Sequence, residues 1–338
     1  MKKILVFAVA AITSVACLTG CGGGGSSAKS SSTTSTAAVS STTSTSEASQ
    51  SGSSEDNSEI RVAFLAQANN TFWAKLTENA VAKAKEMGIT LDTFNAGNEV
   101  NEQIAQLESA MSNNYDAIII GAVDSAGLKE TCQQVMDAGI PLVTCNLKVD
   151  DEAYDVYVGS EDYDAGFIQG SWIAEATDGE CNVGVLYVPI GCSAEIGRTA
   201  GLKASLFEKY DTAKIVAEDD GKAMIDEGMR ITEDWLQSHS EITVIAAEND
   251  QMALGAMQAC QSAGRDDILI CGVDADQEAV QSIIDGSMAM TVFQNSKDQA
   301  QTAVEVAVGL AKGKTYDKEV IIPFEEVNKD NAEDYLNK

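Results

Sequence analysis

Basic side chains are scarce in this sequence: 22 lysines and arginines face 52 acidic residues, for a net charge of −30, and there is a single histidine. A chain so acidic lacks the positive surface that nucleic acids or anionic lipid headgroups require, so neither partner is expected. Catalytic signatures are missing as well. There is no G-x-S-x-G elbow, no metal-ligand spacing and no phosphate loop. His239 falls at a predicted helix end, where a solvated imidazole is the simplest reading. Enzymatic activity, cofactors and bound metal are therefore not expected. The chain also lacks an apolar run long enough for a comfortable membrane span, since the run at residues 4–16 is too short.

Eight cysteines are present, but they are widely spread and match neither a zinc site nor a small stapled fold. Cys145, Cys181 and Cys271 fall at strand ends, and Cys132 and Cys260 fall in helices. Buried free thiols are the expectation, with a Cys145–Cys271 bridge as the open alternative.

Lys2 and Lys3 precede the apolar run, and Leu18-Thr19-Gly20-Cys21 follows it. That order defines a secretory leader over residues 1–20. The segment 21–58 is almost entirely Gly, Ser, Thr and Ala, without apolar periodicity, and reads as a disordered tether. Random-coil scaling gives it a root-mean-square reach of roughly 35 Å.

With 44% hydrophobic residues, the remaining chain has enough material for two packed lobes. Predicted strands at 60–66, 89–95, 117–120 and 142–145 alternate with helices at 72–87, 99–112 and 126–138. After a short strand at 156–158 and a helix at 165–176, the pattern starts again. Strands at 183–187, 214–217, 242–246, 268–271 and 289–293 are separated by helices at 195–210, 225–237, 251–263 and 278–284. A long helix at 298–312 and a strand at 320–322 close the chain. This alternation predicts an α/β fold of two doubly wound parallel-sheet lobes with a cleft between them.

Ligands of such sheets sit at the carboxyl ends of the strands. Following each strand to that end meets Asn69-Asn70-Thr71-Phe72-Trp73, Asp124-Ser125, Asn146, Asn249-Asp250, Asp274 and Gln294. Amides offer a donor and an acceptor on one plane, and carboxylates accept from two hydroxyls at once. Aromatic faces such as those of Phe72 and Trp73 can cover the C–H face of a sugar ring. Asn and Asp after strands commonly serve only as helix caps, and Asp124 and Asp250 are read that way. Asn249, Asp274 and Gln294, all ending strands of the second lobe, are read as ligand-facing. Trp235 is read as a core residue. Arg198 is expected to reach ligand oxygens, the alternative being a surface ion pair with Glu195.

The segments N-N-T-F-W (69–73), I-P-L-V-T-C-N (140–146), V-G-S-E-D-Y-D-A-G (158–166), A-E-N-D-Q-M-A-L-G-A (247–256), G-V-D-A (272–275) and T-V-F-Q-N (291–295) resemble the ribose- and galactose-binding proteins of ABC transporters, the type I periplasmic binding proteins. The likeness runs in order from about residue 60 to the C-terminus. The closing P-F-E-E-V-N-K-D-N (323–331) is closer to the galactose branch. The resemblance implies Asn70, Phe72, Trp73 and Asn146 on the first lobe's side of the sugar, with Arg198, Asn249, Asp274 and Gln294 on the second. It further implies three crossings between lobes, near Glu161, Gln294 and Pro323. The lobes would then comprise 59–161 with 295–322, and 162–294 with 323–338, joined by a three-strand hinge. L-T-G-C similarly resembles a bacterial lipobox, implying acylation of Cys21 and anchoring at the outer face of the cell membrane.

Several positions depart from the family pattern. Leu147 stands where Arg or Lys is common, Cys192 and Ala194 replace polar residues of the galactose branch, and Ala223 falls near the place of an aromatic. The short Asp178-Gly179-Glu180 connection leaves no room for that branch's calcium loop. The implied function is an extracytoplasmic, monomeric lipoprotein that captures a monosaccharide or similar polyol and delivers it to an ABC permease. The alternative is a sugar-sensing lipoprotein signalling to a chemoreceptor or histidine kinase. A lac-repressor-type regulator shares the core, but a secretory leader stands where its DNA-binding helices would be.

Overall fold

The computed structural model describes residues 60–336 and 338. The leader, Cys21 and the tether lie outside the described residues. Beyond them the chain builds two α/β lobes around two six-stranded sheets.

The first sheet contains β1 (Arg61–Ala66), β2 (Thr90–Asn95), β3 (Ala117–Ile120), β4 (Leu142–Cys145) and β5 (Val156–Gly159), connected by α1 (Thr71–Met87), α2 (Val100–Ser112) and α3 (Lys129–Asp137). The second begins after α4 (Asp162–Thr177). It contains β6 (Asn182–Tyr187), β7 (Lys214–Asp220), β8 (Val244–Ala247), β9 (Leu269–Cys271) and β10 (Met290–Phe293), connected by α5 (Ser193–Leu202), α6 (Ile225–Ser238), α7 (Asp250–Ala263) and α8 (Gln277–Asp285). The chain then runs through α9 (Ser296–Ala311), β11 (Glu319–Ile321) and β12 (Glu325–Asn328).

Strand order is β11-β5-β4-β3-β1-β2 in one sheet and β12-β10-β9-β8-β6-β7 in the other. Both sheets therefore reverse direction of winding beside their first strand, between β1 and β3 and between β6 and β8, where a crevice opens above the carboxyl ends. Central strands such as β3, β4 and β8 are buried at every residue, as a sheet covered on both faces requires. β2, at an edge, has only exposed and half-buried positions.

The chain passes between sheets three times: from β5 to α4, from β10 into α9, and from β11 to β12. α9 packs against α1, β3 and β4 of the first sheet, and Lys83 on α1 pairs with Glu305 on α9 at 2.6 Å. The final strand departs from the expected pattern. β12 lies antiparallel to β10, matching Val292 with Glu326. Its sequence, EEVN, buries only Val327, so a charged edge strand leaves little hydrophobic period to read.

Other differences are local. The helix expected at 126–138 begins at Lys129, because the Gly127 N–H donates to Asp124 Oδ1 in a turn. The helix expected at 195–210 starts at Ser193, and after Leu202 it loosens into a π turn over Lys203–Phe207, in which the Glu208 N–H reaches the Lys203 carbonyl. Trp235 is buried in the core, and His239 ends α6 with its ring 3.4 Å from Glu241. Six cysteines, Cys132, Cys145, Cys181, Cys192, Cys260 and Cys271, are free and buried, so Cys145 and Cys271 are not bridged.

Candidate functional site

Two helices set the geometry of the cleft's second wall. α4 and α5 cross closely because glycines meet backbone there: a Cβ on Gly201 would lie 2.0 Å from the Tyr163 carbonyl oxygen. The close crossing brings Arg198 on α5 against Asp162, the first residue of α4. Arg198 Nε donates to Asp162 Oδ1 at 3.2 Å, Nη1 to the Glu248 carbonyl, and Nη2 to Gln294 Oε1 at 3.2 Å. The guanidinium is thereby turned inward and almost fully buried. Glu195, the partner a surface pair would have used, instead accepts from the Gly191 N–H.

On the first wall, Trp73 follows the N-terminus of α1. Its indole Nε1–H donates to Gln67 Oε1 at 2.9 Å, and Phe72 stands edge-on to it with ring centroids 6.1 Å apart. Gly121, at the end of β3, makes room for the indole, since a Cβ there would fall 1.9 Å from a ring carbon. Asn70 caps the helix by accepting from the Trp73 N–H at 3.0 Å. Asn146, after β4, donates through Nδ2 to Gln299 Oε1 at 3.0 Å, and Gln299 Nε2 donates in turn to Ser160 Oγ at 2.8 Å.

Asn249 and Asp250 exchange the capping role expected of them. Asn249 is the N-cap of α7, its Oδ1 accepting from the Met252 N–H at 3.0 Å. Asp250 is already helical, and its carboxylate accepts from the Asp276 N–H and the Thr291 hydroxyl, both at 2.7 Å. The extended backbone of Asn249 carries its side chain over the helix end, which Asp250 cannot reach.

All eight residues singled out from the sequence line one cavity between the sheets: Asn70, Phe72, Trp73, Asn146, Arg198, Asn249, Asp274 and Gln294. Gln67, Leu147, Val188, Pro189, Cys192, Ala194 and Ala223 complete the lining. The cavity leaves only about 30 Å³ for the centres of water-sized molecules, about the allowance of a few waters. The walls also touch directly. The Ser125 N–H donates to the Gly191 carbonyl at 3.0 Å, and the Lys148 N–H to Ser193 Oγ at 2.9 Å. Lys148 Nζ joins Glu161 and Glu319, at 3.1 and 3.0 Å, beside two of the crossings.

Several polar atoms of the lining keep hydrogen-bonding capacity that the protein does not use. Indole and guanidinium N–H groups can only donate, so the oxygens of Gln67 and Gln294 are the atoms they engage. The Nε2 atoms of both glutamines are buried without a partner. The oxygens of Asn70 and Asn249 are likewise spent on caps, which leaves the Asn70 amide nitrogen over, whereas Asn249 Nδ2 donates to the Ala223 carbonyl at 3.5 Å and has one N–H left. Asn146 is oriented the other way, with Oδ1 left to accept. The Asp274 carboxylate accepts no protein hydrogen bond among the described residues.

Burial raises the pKa of Asp274 well above the usual carboxylate value, with Arg198 opposing the rise. Burial likewise lifts Asp162 to about 6 against the pull of Arg198, and Glu248 to about 8 although Thr199 and the Val188 N–H hold its oxygens. Arg198 is the one cation lining the cavity, and carboxylates already surround it. An anionic ligand would find no uncommitted positive charge. No group of His, Cys, Asp and Glu side chains among the described residues is arranged to hold a metal.

Gln67 was legible by the same rule that found Asn70, since it directly follows β1. Ser160, Asp162 and Gln299 were not, because each acts through a partner distant in sequence.

A family model described as a periplasmic binding protein domain matches residues 62–315. A putative rhizopine-binding protein of Rhizobium meliloti is 29% identical over 294 residues, covering 85% of this chain and 95% of the relative. Among solved structures, an ABC transporter solute binding protein from Bacillus halodurans with bound myo-inositol superimposes with a TM-score of 0.80 at 32% identity, covering 83% of this chain and 99% of that one. A protein from Mycobacterium smegmatis in complex with β-D-fucofuranose gives 0.78 at 27%, covering 82% and 94%.

Proposed function

The chain belongs to the periplasmic binding protein domain family, in the branch of sugar- and polyol-binding solute receptors of ABC transporters, and on that premise we propose that it closes its lobes around a neutral monosaccharide or cyclic polyol and hands it to an ABC importer. The observation carrying this reading is the pair of unpartnered buried amide nitrogens, Gln67 Nε2 and Gln294 Nε2, lining one cavity from opposite lobes. An unmade buried hydrogen bond costs about 1–3 kcal/mol, and a ligand oxygen between the lobes would recover it in the closed state alone. Such a differential contact is what shifts a hinge equilibrium.

In this reading the Asp274 carboxylate and Asn146 Oδ1 accept from ligand hydroxyls. Arg198 and the amides of Gln67, Asn70, Asn249 and Gln294 donate, and Trp73 and Phe72 cover a C–H face. The solved relatives carrying myo-inositol and β-D-fucofuranose support a neutral, hydroxyl-rich ligand. The lobes comprise residues 59–161 with 295–322 and residues 162–294 with 323–338. Binding without turnover is the expected behaviour, as in a transport receptor.

Isothermal titration calorimetry of the purified chain against pentoses, hexoses and inositols tests the reading. A saturable heat with at least one neutral polyol is expected, and none with sugar phosphates. Silence across the whole neutral panel would overturn it.

The leader and L-T-G-C support a second part of the proposal: the protein is extracytoplasmic and anchored through acyl chains on Cys21, with residues 21–58 as its tether. Cys21→Ser should move the protein from the membrane fraction to the soluble extracytoplasmic fraction. Retention at the membrane by that variant would refute the anchor.

A further inference from the structure

Cavity lining and direct contact between the lobes fall to different residues. Leu147, Cys192 and Ala194 line the cavity, whereas their chain neighbours Lys148, Gly191 and Ser193 do not. Those neighbours meet the opposite lobe instead. The Lys148 N–H donates to Ser193 Oγ at 2.9 Å, and the Ser125 N–H to the Gly191 carbonyl at 3.0 Å. Ser125 and Lys148 follow β3 and β4 of the first sheet, while Gly191 and Ser193 lie where β6 leads into α5 of the second.

The two first-lobe loops are braced against each other. Ser125 Oγ donates to the Lys148 carbonyl at 3.0 Å, and the Asp150 N–H to the Ser125 carbonyl at 2.9 Å. Lys148 Nζ ties the same loop to Glu161 and Glu319, at 3.1 and 3.0 Å, and lies 4.6 Å from the centroid of the buried Tyr157 ring. The Lys148 N–H is thereby held in place for Ser193, its one acceptor among the described residues.

The second-lobe loop is shaped to receive them. Gly191 has a φ of +97°, and a Cβ there would lie 2.6 Å from Asp124 Oδ2 of the first lobe. That carboxylate is not free to swing aside, because its other oxygen accepts from the Gly127 N–H. Ser193 has no capping duty in α5, so its hydroxyl serves the contact with Lys148 alone. Every donor and acceptor in these contacts belongs to the protein.

We propose that Ser125, Lys148, Gly191 and Ser193 form a clasp that sets the lifetime of the closed receptor without touching what is bound. The inference rests on the sugar-binding reading and adds to it a control of affinity outside the binding residues. A hinge movement that parts the lobes breaks both bonds, so the clasp favours the closed state over the open one. A sugar enters while the lobes are apart. The clasp therefore governs escape rather than entry.

The test is stopped-flow fluorescence of the purified chain with the pentose, hexose or inositol that gives the largest heat in the calorimetric panel, beginning with myo-inositol. Trp73 in the cavity wall supplies the signal, and calorimetry gives the dissociation constant independently. Ser193→Ala removes the acceptor and leaves α5 with the same caps. Its dissociation rate and dissociation constant should both rise about fivefold, the equivalent of one net hydrogen bond, with association unchanged within about twofold. Gly191→Ala acts differently, by placing a methyl group against Asp124 Oδ2 as the lobes close. Dissociation should again accelerate by about fivefold or more. Circular dichroism checks that each variant is folded. An unchanged dissociation rate in either folded variant, or a loss confined to association, would overturn the clasp and leave the sugar-binding reading standing. Silence of the unaltered chain toward the whole panel would remove the sugar-binding reading and this inference with it.

Discussion

Arg198 and Asp162 form a buried ion pair, Nε to Oδ1 at 3.2 Å, with both side chains no more than 6% exposed. The carboxylate holds one edge of the guanidinium while Nη1 and Nη2 reach the Glu248 carbonyl and Gln294. Donors on three separate nitrogens are used at once, a spread that a planar fork supplies and the single nitrogen of an ammonium does not.

Arg198→Lys should therefore keep the charge and lose the geometry. Calorimetry with whichever polyol binds should show affinity weakened by about tenfold or more, the equivalent of one strong charge-assisted hydrogen bond. Affinity unchanged within about twofold would show that Arg198 only braces the lobe.

Gln67 separates affinity from stability. Gln67→Met forfeits the bond from Trp73 Nε1 and also removes an unpartnered buried amide nitrogen. The two effects are each about 1 kcal/mol and oppose one another, so urea unfolding without ligand should shift by less than about 1 kcal/mol. Ligand affinity should fall about tenfold on the same reasoning.

Glu248 should leave a mark on the pH dependence of folding. Burial raises its pKa from 4.5 to about 8. The folded chain holds this proton where the unfolded chain has released it. Its contribution is therefore fully present below about pH 4.5 and is lost as the pH rises through about 8. Glu248→Gln keeps an acceptor for the Val188 N–H and removes the titration, so the fall in unfolding free energy between pH 5 and pH 8 should flatten by a few kcal/mol, an order-of-magnitude figure. Parallel pH profiles for the two proteins would contradict this.

The α4–α5 crossing should tolerate no added atom. Gly201→Ala places a Cβ against the Tyr163 carbonyl and the Phe167 N–H, and backbone cannot yield as a side chain could. A loss of about 1–3 kcal/mol in unfolding free energy is expected. Because Arg198 depends on the same crossing, ligand affinity should fall with it. Gly264→Ala is the control: a Cβ there meets nothing within 4 Å, and only the strain of its φ of +69° should register.

Much of this protein was already decided in one dimension. Fully apolar runs such as AIII at 117–120 and VIAA at 244–247 can bury both faces only as central parallel strands, and the helical spacing between them predicts the crossovers. Polar residues just past the strands had to collect at one edge of each sheet, which is why Asn70, Asn146, Asn249, Asp274 and Gln294 could be named and line one cavity together with Phe72, Trp73 and Arg198. Local chemistry could not decide which atom of each side chain stays free. That Asn249 spends its oxygen on a cap, that Gln67 is pinned by an indole, and that Arg198 answers to Asp162 rather than to nearby Glu195 depends on distances between separate elements. β12 escaped for the same reason: its charged sequence becomes a strand only because β10 offers it an edge. Periodicity records which face of an element is buried, whereas hydrogen-bond partnership is settled by what the tertiary packing brings against that face.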